Sequence, residues 1–300
     1  MKLRTGDSAA CYARRAMAEC QRLGPDALVL CAGTVPRATF RARAAAAAAG
    51  GFSGISLWLP QRERARAEGL SDADLRAILA DHAVVVTDLE AITDFGPCFR
   101  GGAAAARETT VTEKLAYEVA AAVGATTVTV VEGPGAPLPV GPAAEAFALL
   151  CDRAAAHGLD VAIEPWAHSA VDVRCAAAIV AAAGRQNGGL VFDTWHAHHE
   201  QRTGDVLRAA PRGSVKSVQV SDVGSDALPA DYVTTTTHAR RLPGNGIADL
   251  VGWVRLLDAI DARAPFGVEV LSDALQALPA EETARRAGVA MRALLAAARA

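Results

Sequence analysis

Glu164, Asp193, Gln219 and Glu269 each stand at or beside the end of a short apolar run: DVAIE, LVFD, SVQV and FGVEV. Three carboxylates and an amide carbonyl make a hard oxygen set, suited to Mn²⁺ or Mg²⁺ rather than to a thiolate-preferring metal. A metal that polarises a carbonyl and an adjacent hydroxyl acidifies the carbon between them. Two carboxylates on opposite sides of that carbon can then remove and return a proton. This is isomerase, epimerase or dehydratase chemistry on a small polyhydroxylated substrate, with Glu164 and Glu269 as the acid/base pair and Asp193 as a ligand only.

For these side chains to meet, the runs that carry them must lie side by side and parallel. β-Branched stretches bounded by Gly, Pro or Asp read as buried strands at 28–32, 54–58, 83–87, 126–131, 160–164, 189–193, 215–220 and 266–270. The Ala-, Leu- and Arg-rich segments between them read as helices near 37–50, 61–81, 107–124, 142–158, 170–187, 198–211, 249–263 and 279–299, with another near 9–23. Eight such units in 300 residues predict an α/β fold: a single (β/α)8 TIM barrel with an extra N-terminal helix, one domain spanning 1–300. The four polar residues are separated by 29, 26 and 50 residues; the first two intervals are single repeats and the third is stretched by a long connection. All four then face one rim. The connections 88–106 and 221–248 exceed the usual length and belong to that rim as well.

Hydrophobic residues make up 51% of the chain, enough for a large core. No apolar stretch reaches the roughly 18 residues of a membrane span, and MKLRTGDSAACYARR lacks the apolar centre of a signal peptide. A cytoplasmic protein with no membrane partner is expected. Cysteines at 11, 20, 31, 98, 151 and 175 show no CxxC spacing, which points to scattered thiols and away from a zinc finger. A net charge of −3 offers phosphate backbones no overall attraction, so nucleic acid is not an expected partner. The absence of a GxGxxG fingerprint argues against dinucleotide-dependent hydride transfer.

GFSGISLW (51–58), IEPW (163–166), FDTWH (192–196), VQVSD (218–222), RRLPGNG (240–246) and VEV (268–270) together resemble the sugar phosphate isomerase/epimerase superfamily of xylose isomerase-like barrels. That group also includes tagatose epimerases, inosose dehydratases and dehydroshikimate dehydratases. The resemblance covers nearly the whole chain; DTWH and RRLPGNG are its most specific parts, and neither fixes the substrate. It implies that Glu164, Asp193, Gln219 and Glu269 are the metal ligands, that Glu164 and Glu269 double as catalytic acid and base, and that His196 binds a substrate oxygen. Many epimerases of the superfamily have histidine where Gln219 stands, and glutamine occurs in some dehydratase-like branches. A lyase that expels a β-hydroxyl or cleaves a C-glycosidic bond is therefore the alternative. Related barrels often form dimers or tetramers, which makes a homo-oligomer a further expectation.

Other residues near the rim carry a functional reading beside a plainer one. His168, four residues after Glu164, reads as an additional acid or substrate contact, or as a loop histidine without a role. Of the Arg240–Arg241 pair, Arg241 is the preferred clamp for a carboxylate or phosphate because it adjoins LPGNG. Trp166 offers an aromatic wall to a sugar face, and Glu132 ends the fourth strand facing the mouth. His198 and His199 read as solvated or capping residues. A repair endonuclease of the related barrel group would need more than the 7 histidines present; a barrel that only binds ligand is the non-enzymatic reading.

Overall fold

The computed structural model describes residues 22–200, 202–224 and 231–300. The helix expected near 9–23 falls almost wholly outside these residues. Eight parallel strands close into one barrel in sequence order: β1 Leu28–Leu30, β2 Gly54–Trp58, β3 Val85–Ile92, β4 Thr127–Val131, β5 Asp160–Glu164, β6 Gly188–Asp193, β7 Val215–Val220 and β8 Phe266–Val268. Around them lie α1 Phe40–Gly50, α2 Pro60–Ala67, α3 Asp72–Asp81, α4 Gly96–Ala105, α5 Val111–Val123, α6 Val140–Ala155, α7 Val173–Ala183, α8 Thr194–His199, α9 Thr203–Ala209, α10 Tyr232–His238, α11 Leu250–Ala259, α12 Asp273–Gln276 and α13 Ala280–Arg299. The structure is the expected TIM barrel. Among the described residues, no helix is long and apolar enough to cross a membrane.

Strands covered on both faces are apolar almost throughout, and β6 is buried along its whole length. Helices begin where a short polar side chain can accept from the first turn: Thr39 from Ala42 N, Thr110 from Glu113 N, Asp172 from Cys175 N and Asp249 from Gly252 N. The expected helix 61–81 is divided, because Ser71 and Asp74 form a complete capping box that starts α3 afresh. The expected helix 198–211 is also divided, into α8 and α9. The stretch 88–106 is no loop: β3 continues to Ile92 and α4 follows. In 221–248, α10 occupies the middle.

The ring closes by pairing β1 with β8, Leu28 opposite Phe266 and Leu30 opposite Val268. Thr34 fastens the seam, its Oγ1 donating to Val268 O at 2.8 Å and accepting from Val270 N at 2.8 Å. Outside it, α1 and α13 touch backbone to backbone. A Cβ at Gly288 would lie 2.1 Å from Gly50 O, so that contact requires glycine. Between α5 and α6 the carboxylate of Glu113, 0% exposed, accepts from Arg153 Nε at 2.6 Å, Arg153 Nη2 at 2.9 Å and Tyr117 Oη at 2.7 Å.

Candidate active site

Strand register places the polar residues together. Asp193, last in β6, pairs with Gln219 of β7, and Gln219 is level with Gly267 of β8. Glu269, one step past β8, donates its backbone N–H to Val220 O at 3.0 Å. Glu164 ends β5. The four residues thus share one rim, and Asp193, Gln219 and Glu269 are buried.

Asp193 has two tasks. Its Oδ1 caps α8, accepting from Trp195 N at 2.6 Å and His196 N at 3.3 Å. That cap sends His196 back over the mouth, where Glu164, Asp193 and His196 each bring one ligand atom within 4.8 Å of the others. The other oxygen, Oδ2, accepts from Arg240 Nη1 at 2.6 Å, and the same nitrogen lies 3.2 Å from Glu269 Oε2. Arg240 is itself held by Thr236, through Nε to the carbonyl at 2.8 Å and Nη2 to Oγ1 at 3.0 Å.

Glu90, inside β3, completes the acid cluster. Its Oε2 accepts from Trp58 Nε1 at 3.1 Å, while its Oε1 is buried with no hydrogen-bond partner. Burial, with the neighbouring charges of Glu164 and Asp88, lifts Glu90 to about 7. Burial and the charges of Glu269 and Asp193 lift Glu164 to about 8. Glu269 is raised strongly by burial and by Glu90, against the pull of Arg240. Burial also pushes Asp193 up, but Arg240 and His196 more than offset it and leave this carboxyl below its ordinary range. His196 is lowered to about 4 by burial, assisted by the adjacent Arg240. The rim therefore combines a carboxyl held below its ordinary range, Asp193, with two raised into the neutral range, Glu90 and Glu164.

The remaining predicted residues divide. Trp166 donates its indole N–H to Glu132 O at 3.0 Å and stacks on Tyr232 at 5.7 Å. Glu132 is buried, with Oε1 3.3 Å from Arg100 Nη1. His168 is exposed and packs edge-on to Tyr232 at 5.6 Å. Arg241 lies outside the cluster: it is exposed, and its guanidinium donates to Asn245 O at 3.3 Å. The reason is local. Asp222 and Arg241 form an antiparallel bridge with N–H···O distances of 2.8 and 2.9 Å, and extended backbone turns successive side chains to opposite sides. Arg240 goes in and Arg241 goes out. The turn beyond is tied to Asp222, which accepts from the backbone N–H groups of Val223, Gly244, Gly246 and Ala248.

A sequence family described as xylose isomerase-like TIM barrel matches residues 43–294. The chain belongs to this family. Among xylose isomerase-like proteins, the 3-dehydroshikimate dehydratase of Pseudomonas aeruginosa is 26% identical over 262 residues, 86% of this chain and 39% of that protein. The inosose isomerase of Bacillus velezensis is 31% identical over 147 residues, 48% of this chain and 51% of that protein. This chain thus spans well under two thirds of the length of either relative. The IOLI protein, solved with a zinc atom bound, shares the xylose isomerase-like fold with a TM-score of 0.77 at 20% identity, covering 90% of this chain and 98% of that one. The relatives are isomerases and dehydratases. Glu90 and Tyr232 are the site residues that sequence reasoning passed over, and Arg240 was named but ranked behind Arg241; Glu90 left a trace in the alternation of Asp88, Leu89 and Glu90.

Proposed function

We propose that the protein is a divalent-metal-dependent isomerase or epimerase that removes and returns a proton alpha to a carbonyl of a small polyhydroxylated molecule. One observation carries this reading: Glu164, Asp193, Gln219 and Glu269 stand together on one rim of the barrel, with Asp193, Gln219 and Glu269 buried there. The donor set fits a hard cation. Gln219 Oε1 is buried with no hydrogen-bond partner, as a carbonyl kept for a ligand would be, and crowded carboxyls raise one another's pKa until a cation relieves them. Glu164, Asp193, Gln219 and Glu269 would hold Mn²⁺ or Mg²⁺. When bound, the metal supplies polarisation of the substrate carbonyl and its neighbouring hydroxyl.

The protein's own groups do the rest in this reading. Glu164 and Glu269 exchange the substrate proton, one as base and the other as acid. Asp193, kept ionised by Arg240, anchors the site and takes no proton. His196 holds a substrate oxygen, Trp166 covers an apolar face of the substrate, and Glu132 and His168 meet the parts that project toward the mouth. A second reading, a lyase in which a β-hydroxyl leaves from the same enolate, is supported by the dehydratase relative, which matches 86% of the chain, and by glutamine at 219. Metal analysis of the purified protein, with substrate hydrogen exchange in D₂O before and after Glu269→Gln, tests both. Exchange should slow by at least about 10²-fold in the variant; undiminished metal-dependent exchange would sink the mechanism. Exchange accompanied by an unsaturated product would select the lyase.

A further inference from the structure

Tyr232, at the start of α10, lies among five rings. It stacks on Trp166 at 5.7 Å and on His196 at 5.9 Å, and meets Trp195, His168 and His199 edge-on. At 5% exposed it is effectively inside the protein. Its phenol oxygen lies 2.7 Å from His196 Nδ1.

Counting donors decides the direction of that hydrogen bond. A phenol has one hydrogen and accepts at its oxygen, while a neutral imidazole has one donor and one acceptor. Among the described residues, His196 Nδ1 is the hydrogen-bond partner observed for the Tyr232 oxygen. If His196 Nδ1–H donated there, the phenol hydrogen would need a second partner, and none is observed for it among the described residues. A buried hydroxyl hydrogen left unpaired costs about 1–3 kcal/mol. The economical arrangement has Tyr232 donating to Nδ1, with the imidazole proton on Nε2. Nε2 points into the mouth, 3.7 Å from Glu164 Oε1 and 4.0 Å from Asp193 Oδ2, both too long for hydrogen bonds. An acceptor brought between them would be met by an N–H.

We propose that Tyr232 is a positioning residue that fixes the His196 tautomer, so that Nε2–H donates to a substrate oxygen and His196 stays out of the metal's ligand set. This rests on the proposed proton-transfer site for its purpose, but the tautomer can be measured independently of it. The competing influence is Arg240 Nη2, a permanent donor 3.5 Å from Nε2. Without the phenol, Arg240 becomes the polar partner of the ring, and the imidazole proton should move to Nδ1.

The test is long-range ¹H–¹⁵N correlation on the full chain labelled with ¹⁵N-histidine, the His196 signals being assigned from their loss in His196→Gln. The wild-type protein should carry the proton on Nε2 and Tyr232→Phe on Nδ1. In protein shown to have taken up one equivalent of Zn²⁺, the Nε2 proton should persist. A wild-type proton on Nδ1, an unchanged tautomer in Tyr232→Phe, or loss of the Nε2 proton with zinc would each overturn the proposal. The wild-type spectrum decides alone if the variant does not fold. Absence of turnover or of metal uptake would count against the proposed function and leave this tautomer readable.

Discussion

Replacing Asp222 by Asn changes hydrogen bonding at the rim while leaving the side chain's shape intact. In the wild-type protein Oδ1 accepts from Val223 N at 2.8 Å and Ala248 N at 3.0 Å, and Oδ2 accepts from Gly244 N at 3.0 Å and Gly246 N at 2.8 Å. An amide has one acceptor oxygen, so either orientation turns its NH₂ toward two backbone N–H donors. Two hydrogen bonds to a charged group are lost, each worth about 1.5–3 kcal/mol. Water recovers part of this at the exposed Gly244 and the half-buried Gly246, leaving an expected loss of about 2–4 kcal/mol. Urea unfolding followed by tryptophan fluorescence should show a lower midpoint with an unchanged m-value. Because the Asp222–Arg241 bridge also sets which arginine faces inward, substrate turnover should fall beyond what the unfolded fraction explains. A variant within about 0.5 kcal/mol of wild type would refute the view that this carboxylate organises the loop.

Arg153→Met should destabilise the protein by about 3–5 kcal/mol, because it strips the partner from a fully buried Glu113; adding Glu113→Gln in a double-mutant cycle should recover much of that loss. Glu200 is lifted by burial from its ordinary 4.5 to about 7, so the folded state keeps a proton that the unfolded chain has already released in that window. Stability should therefore fall as pH rises from 4.5 to 7, by about 1–3 kcal/mol after allowance for partial exposure. Glu200→Gln should lack this component and match wild type near pH 4; parallel denaturation curves for the two proteins across the window would contradict it. Gly288→Ala places a methyl 2.1 Å from Gly50 O and should cost about 1–3 kcal/mol, read as a drop in melting temperature.

The strand ends were legible because burial on both faces gives continuous apolar runs, and a polar residue at the end of such a run is conspicuous. This identified the residues of the Glu164, Asp193, Gln219 and Glu269 rim. Glu90 was hidden because Asp88 and Glu90 look like the start of a loop, when in fact both point into a barrel whose β3 continues past them. The choice between Arg240 and Arg241 depended on a bridge to a residue 19 positions earlier, Asp222, which no local pattern announces. Tyr232 owes its place to packing against Trp166, Trp195 and His196, contacts made across distant segments.

The seam between β1 and β8 sets an order on how this protein can be made. Leu28 finds Phe266, and Gly50 finds Gly288, only after nearly all of the chain between them has left the ribosome. Until then β1 has an open edge, and so does the newest strand on the growing side, each a row of unpaired backbone groups able to recruit a strand from another molecule. Synthesis that stalls or is truncated before β8 leaves an arc with two adhesive ends. The interval between translating β1 and translating β8 is thus the period in which this barrel is most exposed to misassembly, and the last strand to appear is the one that ends it.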